Sequence, residues 1–257
     1  MKRRNFIRLS ASLALVGSGK IAAKETASYL SKKKEIYEWR VYDLKGEGEL
    51  LDSFYKETLI PAYNKFKIKV GAFKTYKEEN PEKRYCLFVY PDLPTYHKVK
   101  KEIWKDAGFK SKSQAFYDTT AANPVYTNFE TFLCEAFDKV PQLLMPDKNR
   151  TLFELRLYHS PNEEANQRKV GMFNKEEIDV FDKVGVHSVC YGEILAGPRM
   201  PALMYLTWYA DLEARDEAWR QFGSHPDWIK MKDKKEYAYT ATNNKSTYLS
   251  PLDYSQI

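Results

Sequence analysis

The sequence predicts an α+β fold built from two tandem β-α-β-β-α-β units, and three observations carry that reading. The first is an internal echo: Tyr37-Glu38-Trp39-Arg40-Val41-Tyr42 returns as Phe153-Glu154-Leu155-Arg156-Leu157-Tyr158, an offset of 116 from Tyr37 to Phe153. The second is that the register holds. Tyr63-Asn64-Lys65 meets Phe181-Asp182-Lys183, and Leu87-Phe88-Val89-Tyr90-Pro91-Asp92-Leu93 meets Leu206-Thr207-Trp208-Tyr209-Ala210-Asp211-Leu212, at offsets of 118 and 119. So small a drift is what loop insertions leave in a duplicated domain. The third is the order in which apolar residues switch between a period of two and a period of 3.6.

The second copy shows that order most plainly. Phe153, Leu155 and Leu157 alternate with Glu154, Arg156 and Tyr158, a strand with two chemically different faces. Ser160-Pro161-Asn162-Glu163 reads as a capping box with proline at the first helical position. The helix it opens turns Val170, Phe173, Ile178, Phe181 and Val184 inward, and Gly185 ends it. Strands follow over Val186 to Leu195 and Leu203 to Tyr209, joined through Ala196-Gly197-Pro198. Asp211 opens a helix bearing Ala218, Trp219 and Phe222, and Lys245 to Leu252 supplies the last strand. The first copy repeats the pattern: a strand from Ile36 to Tyr42, a helix from Glu49 to Phe66 kinked by Pro61, and strands over Val70 to Tyr76 and Arg84 to Tyr90. A helix from Thr95 to Trp104 and a strand from Phe129 to Phe137 complete it. The units span residues 36–142 and 151–255. Helices cover one face of each sheet, so the other face needs a cover, and the sister sheet supplies it. The expected result is an α+β barrel with the sheets face to face.

The chain starts with an address. Lys2-Arg3-Arg4-Asn5-Phe6-Ile7-Arg8 has the twin arginine, apolar pair and trailing base of a Tat-type export signal, with Arg3 and Arg4 as its core. Residues 1–23 form this segment and 24–35 a linker, which places the protein in the periplasm or cell envelope with the Tat machinery as a partner. The segment is too short and weakly apolar for a stable membrane span, which needs about 20 residues. It carries five bases and no acid, so the net charge of +6 falls to +1 without it. Lys32 to Lys34, Lys98 to Lys101 and Lys232 to Lys235 are short and flanked by acids, which argues against a nucleic-acid partner. Cys86, Cys134 and Cys190 lie in apolar-aromatic runs and read as core thiols. No C-x-x-C, G-x-S-x-G, Walker A or H-E-x-x-H motif occurs, so no metal or cofactor is expected.

Several second-copy segments resemble the NIPSNAP family. They are the Phe153–Tyr158 hexad, Val180-Phe181-Asp182-Lys183-Val184-Gly185-Val186, Tyr191-Gly192-Glu193-Ile194-Leu195-Ala196-Gly197, Leu203-Met204-Tyr205-Leu206, and Arg215-Asp216-Glu217-Ala218-Trp219-Arg220-Gln221-Phe222 with His225-Pro226-Asp227-Trp228. The resemblance implies a tandem ferredoxin-like, dimeric α+β-barrel type of fold, self-association into a homo-oligomer, and no particular reaction. The first copy is degraded, with Tyr96, Lys100 and Lys67 standing where Arg215, Trp219 and Gly185 align.

Two functions are open at this point. One is an exported NIPSNAP-like binding protein that takes a small apolar or carbonyl-bearing molecule between sheet and helices. The other is a cofactor-independent monooxygenase or isomerase on the same barrel, where a phenol and an Arg or His would stabilise an enolate. The ligand-binding candidates all sit in the second repeat: Arg156, Tyr158, His187, Tyr191, Glu193 and Arg215. Glu38, Arg40, Tyr42, Glu154 and Trp219 are structural or barrel-interior candidates. If the apolar strand faces meet the helices, both Glu/Arg/Tyr sets point between the sheets, as a polar chamber or a buried ion-pair network. His159 and His187 are expected near one sheet edge, close enough to share a pocket.

Overall fold

The computed structural model describes residues 33–257, apart from 47, 78 and 79. The expected signal segment and most of the linker lie outside the described residues. The first unit consists of β1 (Ile36–Leu44), α1 (residues 49–64), β2 (Lys69–Thr75), β3 (Lys83–Tyr90), α2 (Leu93–Glu102), α3 (Ala107–Tyr117) and β4 (Tyr126–Ala136). The second consists of β5 (Leu152–His159), α4 (residues 163–184), β6 (His187–Ala196), β7 (Ala202–Tyr209), α5 (Leu212–Ser224), α6 (Pro226–Lys232) and β8 (Asn243–Pro251).

Each unit arranges its strands in the order fourth, first, third, second. The two sheets then join at both edges, β2 to β8 and β4 to β6, into one closed eight-stranded barrel. The barrel is completed within a single chain. At the β4–β6 seam a side chain on Gly192 would meet Cβ of Cys134 at 2.6 Å, so glycine is what lets the two strands approach. The β2–β8 seam has three residue pairs, from Phe73↔Pro251 to Thr75↔Leu249. Past Pro251, Gln256 Oε1 and Ser255 Oγ accept from the amides of Val70 and Ala72, both at 2.9 Å. The edge of β2 is thereby satisfied where its partner strand ends.

The faces of the strands are the reverse of what the sequence suggested. Tyr37, Trp39 and Val41 of β1 point into the barrel, as do Phe153, Leu155 and Leu157 of β5. There they join Phe73, Leu87, Phe132, Leu206 and Leu249 in one apolar interior. Glu38, Arg40, Tyr42, Glu154, Arg156 and Tyr158 lie on the outer face, beneath the helices. None of them, nor Trp219, is a barrel-interior residue. The physical reason is access. The packed middle of an eight-stranded barrel is filled by side chains and offers no water or partner to a charge. A covering helix can bring a base of its own.

The helices hold other differences. Asn162, not Ser160, caps α4, accepting from Ala165 N at 2.9 Å. Ser160 instead donates to the Thr240 carbonyl at 2.7 Å. Helix α1 carries a π turn over Tyr55–Leu59, and α4 carries one over Phe173–Glu177, 118 positions on. The second copy makes the same turn without proline, so proline is not required for it. Helix α3 went unanticipated. Asp106 caps it through Phe109 N at 2.9 Å, and Phe109, Ser113 and Phe116 form its buried side. Phe116 stacks on Phe54 of α1 at 4.1 Å between ring centroids.

Candidate functional site

Beneath α2, Glu38 is almost fully buried and is held by three donors. Arg40 grips it with two bonds of 3.0 Å, Tyr90 donates at 2.7 Å and Lys100 of α2 at 3.0 Å. Burial alone would raise the Glu38 carboxyl. The adjacent guanidinium, ammonium and phenol outweigh it and hold the group at about 2. Arg40 is fixed from above as well: it donates to Tyr63 OH at 3.1 Å, and its guanidinium lies 3.9 Å from the Phe88 ring centre. Tyr42 shares a hydrogen bond of 2.8 Å with Tyr55 of α1.

Beneath α5, Glu154 is fully buried with a different set. Arg215 takes it in a fork of 3.0 and 2.9 Å, Arg156 donates at 3.0 Å and Trp219 Nε1 at 2.9 Å, while Ser246 adds a short hydroxyl contact. Burial opposes ionisation here too, and the two arginines with Ser246 pull the carboxyl below its ordinary value. The Arg156 guanidinium lies 4.0 Å from the Trp219 ring centre. Tyr158 pairs with Tyr205 at 2.9 Å, and burial pushes its hydroxyl up to about 12. Of the ligand-binding candidates, Arg156 and Arg215 therefore converge on one carboxylate, and Tyr158 lies beside them with the Arg156 guanidinium 5.4 Å from its ring centre. The arrangement is a buried ion-pair lattice in which, among the described residues, the Nε of Arg156 is left without a hydrogen-bond partner.

The remaining candidates lie elsewhere. Tyr191 is buried between Phe137 and Tyr205, with its hydroxyl 2.7 Å from Ser188 Oγ. Glu193 accepts from Asn166 at 3.0 Å and Gln167 at 2.6 Å, and burial raises its carboxyl. His187 stacks on Trp208 at 4.3 Å. It does not meet His159: His187 pairs with Trp208 and His159 with Ala202, six residues apart along β7. That is roughly 20 Å at about 3.3 Å per residue, so they sit at opposite ends of the barrel. Among the described residues no group of three or more metal-ligating side chains occurs, and no helix is long and apolar enough to cross a membrane.

Sequence reasoning missed two features. One is a buried ion pair, Lys169 to Glu177 at 3.0 Å, beside the rings of Tyr158 and Phe173. The helix offset of 118 places Leu51 and Leu59, both buried, at these positions in the first copy, so aligning the copies would have exposed the change. The other is a cavity of about 200 Å³ at the barrel end where β1 and β5 finish. Its floor is the apolar interior: Val41, Tyr85, Phe132, Leu155, Leu157 and Met204. Its rim is Asp43, Lys83, Asn128, Glu130, Arg199, Lys245 and Thr247. Both repeats contribute to its lining. Arg199 overhangs from the β6–β7 hairpin with a left-handed φ of 64°, a conformation that costs a non-glycine residue about 1–2 kcal/mol. The opposite end of the interior is packed by Ile257, Leu143 and Trp208.

Comparison with known proteins agrees with this geometry. The family model described as NIPSNAP matches residues 153–256, the second repeat. A monooxygenase-like protein of Lactobacillus acidophilus NCFM superimposes with a TM-score of 0.56 at 10% identity, over 85% of this chain and 94% of its own. A second monooxygenase-like protein, from Fusobacterium nucleatum, gives 0.55 at 11% identity, over 87% and 99%. An anthrone oxidase-like protein gives 0.55 at 7% identity, over 86% and 93%. At such identities the likeness is one of fold. No curated protein matches the chain.

Proposed function

We propose that this chain is an exported NIPSNAP-like binding protein that takes a small apolar or carbonyl-bearing molecule, with the barrel mouth as its site. The cavity carries the reading. There the apolar interior meets solvent without being filled, and its polar groups stand at the entrance while its floor is greasy. An apolar cavity of about 150 Å³ takes one benzene ring, so about 200 Å³ suits a single ring with a short substituent. The lattices under α2 and α5 are poorer candidates by comparison, because most of their donors already serve Glu38 and Glu154, the buried Nε of Arg156 being left over. Acetophenone, a ring bearing a carbonyl, should bind one site per chain in calorimetric titration, and Met204→Trp should remove that binding by filling the cavity. Binding that persists unchanged in Met204→Trp would place the ligand elsewhere.

The oxygenase or isomerase alternative rests on one observation, that Tyr85 is among the residues lining the same cavity. Oxygen consumption or proton exchange at a bound carbonyl compound, lost in Tyr85→Phe, would favour it. Export is a separate proposal, supported by the twin arginine at Arg3 and Arg4. Replacing both with lysine should strand precursor in the cytoplasm, and unchanged export would refute the Tat route.

A further inference from the structure

The rim of the barrel mouth narrows the class of ligand. Lys83 pairs with Asp43 at 3.3 Å, and Asn128 Nδ2 donates to the same carboxylate at 3.3 Å. Those charges are answered locally. Arg199, Lys245 and Glu130 form no ion pair among the described residues. Two cations and one anion leave an excess of one positive charge over an apolar floor. At Arg40 and Arg156, where the barrel also brings a basic side chain against rings, it supplies a carboxylate.

From this excess, resting on the barrel mouth as the binding site, we infer that the ligand is a monoanionic amphiphile: a single ring or branched apolar body seated between Leu155, Leu157 and Met204, with a carboxylate at Arg199 and Lys245. A monoanion closes the charge balance of the rim. A neutral ligand would leave the two bases to water, and a dianion would be opposed by Glu130. Arg199 stands at the cavity edge on the β6–β7 hairpin, with a left-handed φ of 64°. Arg199 and Lys245 are exposed, so their contribution is steering and modest affinity, and it is screened by salt. The apolar floor supplies the rest.

The probes are benzoate and its neutral isostere benzamide, titrated into the purified chain at low and high salt. Benzoate should bind roughly 3–10-fold more tightly at low salt, and the preference should shrink at high ionic strength. Arg199→Gln and Lys245→Gln should each weaken benzoate roughly 2–3-fold and together erase the preference, with benzamide unaffected. Glu130→Gln should strengthen benzoate. All three positions are at the rim, and thermal melts of each variant verify that the fold is intact. Equal binding of both probes, or a preference that survives Arg199→Gln/Lys245→Gln, would overturn the anionic ligand while leaving the pocket standing. Failure of both probes to bind, with acetophenone also silent, would overturn the pocket itself.

Discussion

Glu38 and Glu154 occupy the same position in the two repeats and are held by different hands. In the first, Arg40 supplies the fork and Lys100 the second cation. In the second, Arg215 supplies the fork, Arg156 the second cation, and Trp219 stands where Lys100 aligns. The forking base has moved from the strand to the helix, and the residue one helical turn on has exchanged an ammonium for an indole N–H. The stacking partner has moved with it: Arg40 lies against Phe88, while Arg156, whose aligned strand neighbour is Thr207, lies against Trp219. What the duplication has kept is a buried carboxylate with two cations and an aromatic lid. The first repeat is a recomposed copy of this feature rather than a degraded one.

That equivalence can be broken by removing each acid. Glu38→Gln and Glu154→Gln should each cost about 3–5 kcal/mol in urea unfolding, because the first strands the buried Arg40 and the second strands Arg156 and Arg215. A large cost at one site with a small cost at the other would mean that the two lattices are not equivalent. The Lys169–Glu177 pair sharpens the contrast, since it has no counterpart beneath α1. Lys169→Leu alone should be destabilising by a similar amount. The double replacement Lys169→Leu/Glu177→Leu, which installs the first repeat's residues, should be neutral or stabilising by about 1–4 kcal/mol. A double variant as damaged as the single would show that the pair does more than fill space.

Acid titration separates the layers in another way. The Glu38 carboxyl is held at about 2, against an ordinary 4.5. Because the folded value is the lower one, its contribution is complete above 4.5 and is lost as the pH falls through about 2. Roughly 3 kcal/mol should disappear over that range, and Glu38→Gln should flatten the acid limb of the stability profile. The smallest effect concerns how α1 and α4 end. Gly185 closes α4 at φ 79°, and Lys67 follows α1 in the same left-handed region at φ 61°. Lys67→Gly should gain about 0.5–1 kcal/mol and Gly185→Ala should lose about 1 kcal/mol, read as shifts in melting temperature.

The tandem topology was legible because hydrophobic period and offset repeat over long stretches. The hexads announced a polar layer, but not the side on which it lies. Both faces of each strand needed a cover, and the residues that decide between them, Lys100 and Arg215, lie about 60 positions away in sequence. Asp211 showed itself as a cap, while the capping box pointed to Ser160, whose hydroxyl tertiary contact with Thr240 takes, leaving Asn162 to cap the helix. The Lys169–Glu177 pair was readable from the copies, since two inward helix positions change from leucine to opposite charges. The cavity was not. Its lining comes from strands of both repeats, in a register set by seams that no local pattern encodes.

Locating a heavy-atom ligand distinguishes the barrel mouth from the layer under the helices in one step. Crystals soaked in 4-bromobenzoate should show a bromine anomalous peak in the barrel mouth, within about 4 Å of Leu155, Leu157 or Met204, with density for the carboxylate toward Arg199 and Lys245. A peak beneath α4 and α5 beside Glu154 and Trp219, or no peak at either place, would contradict the assignment of the barrel mouth as the site.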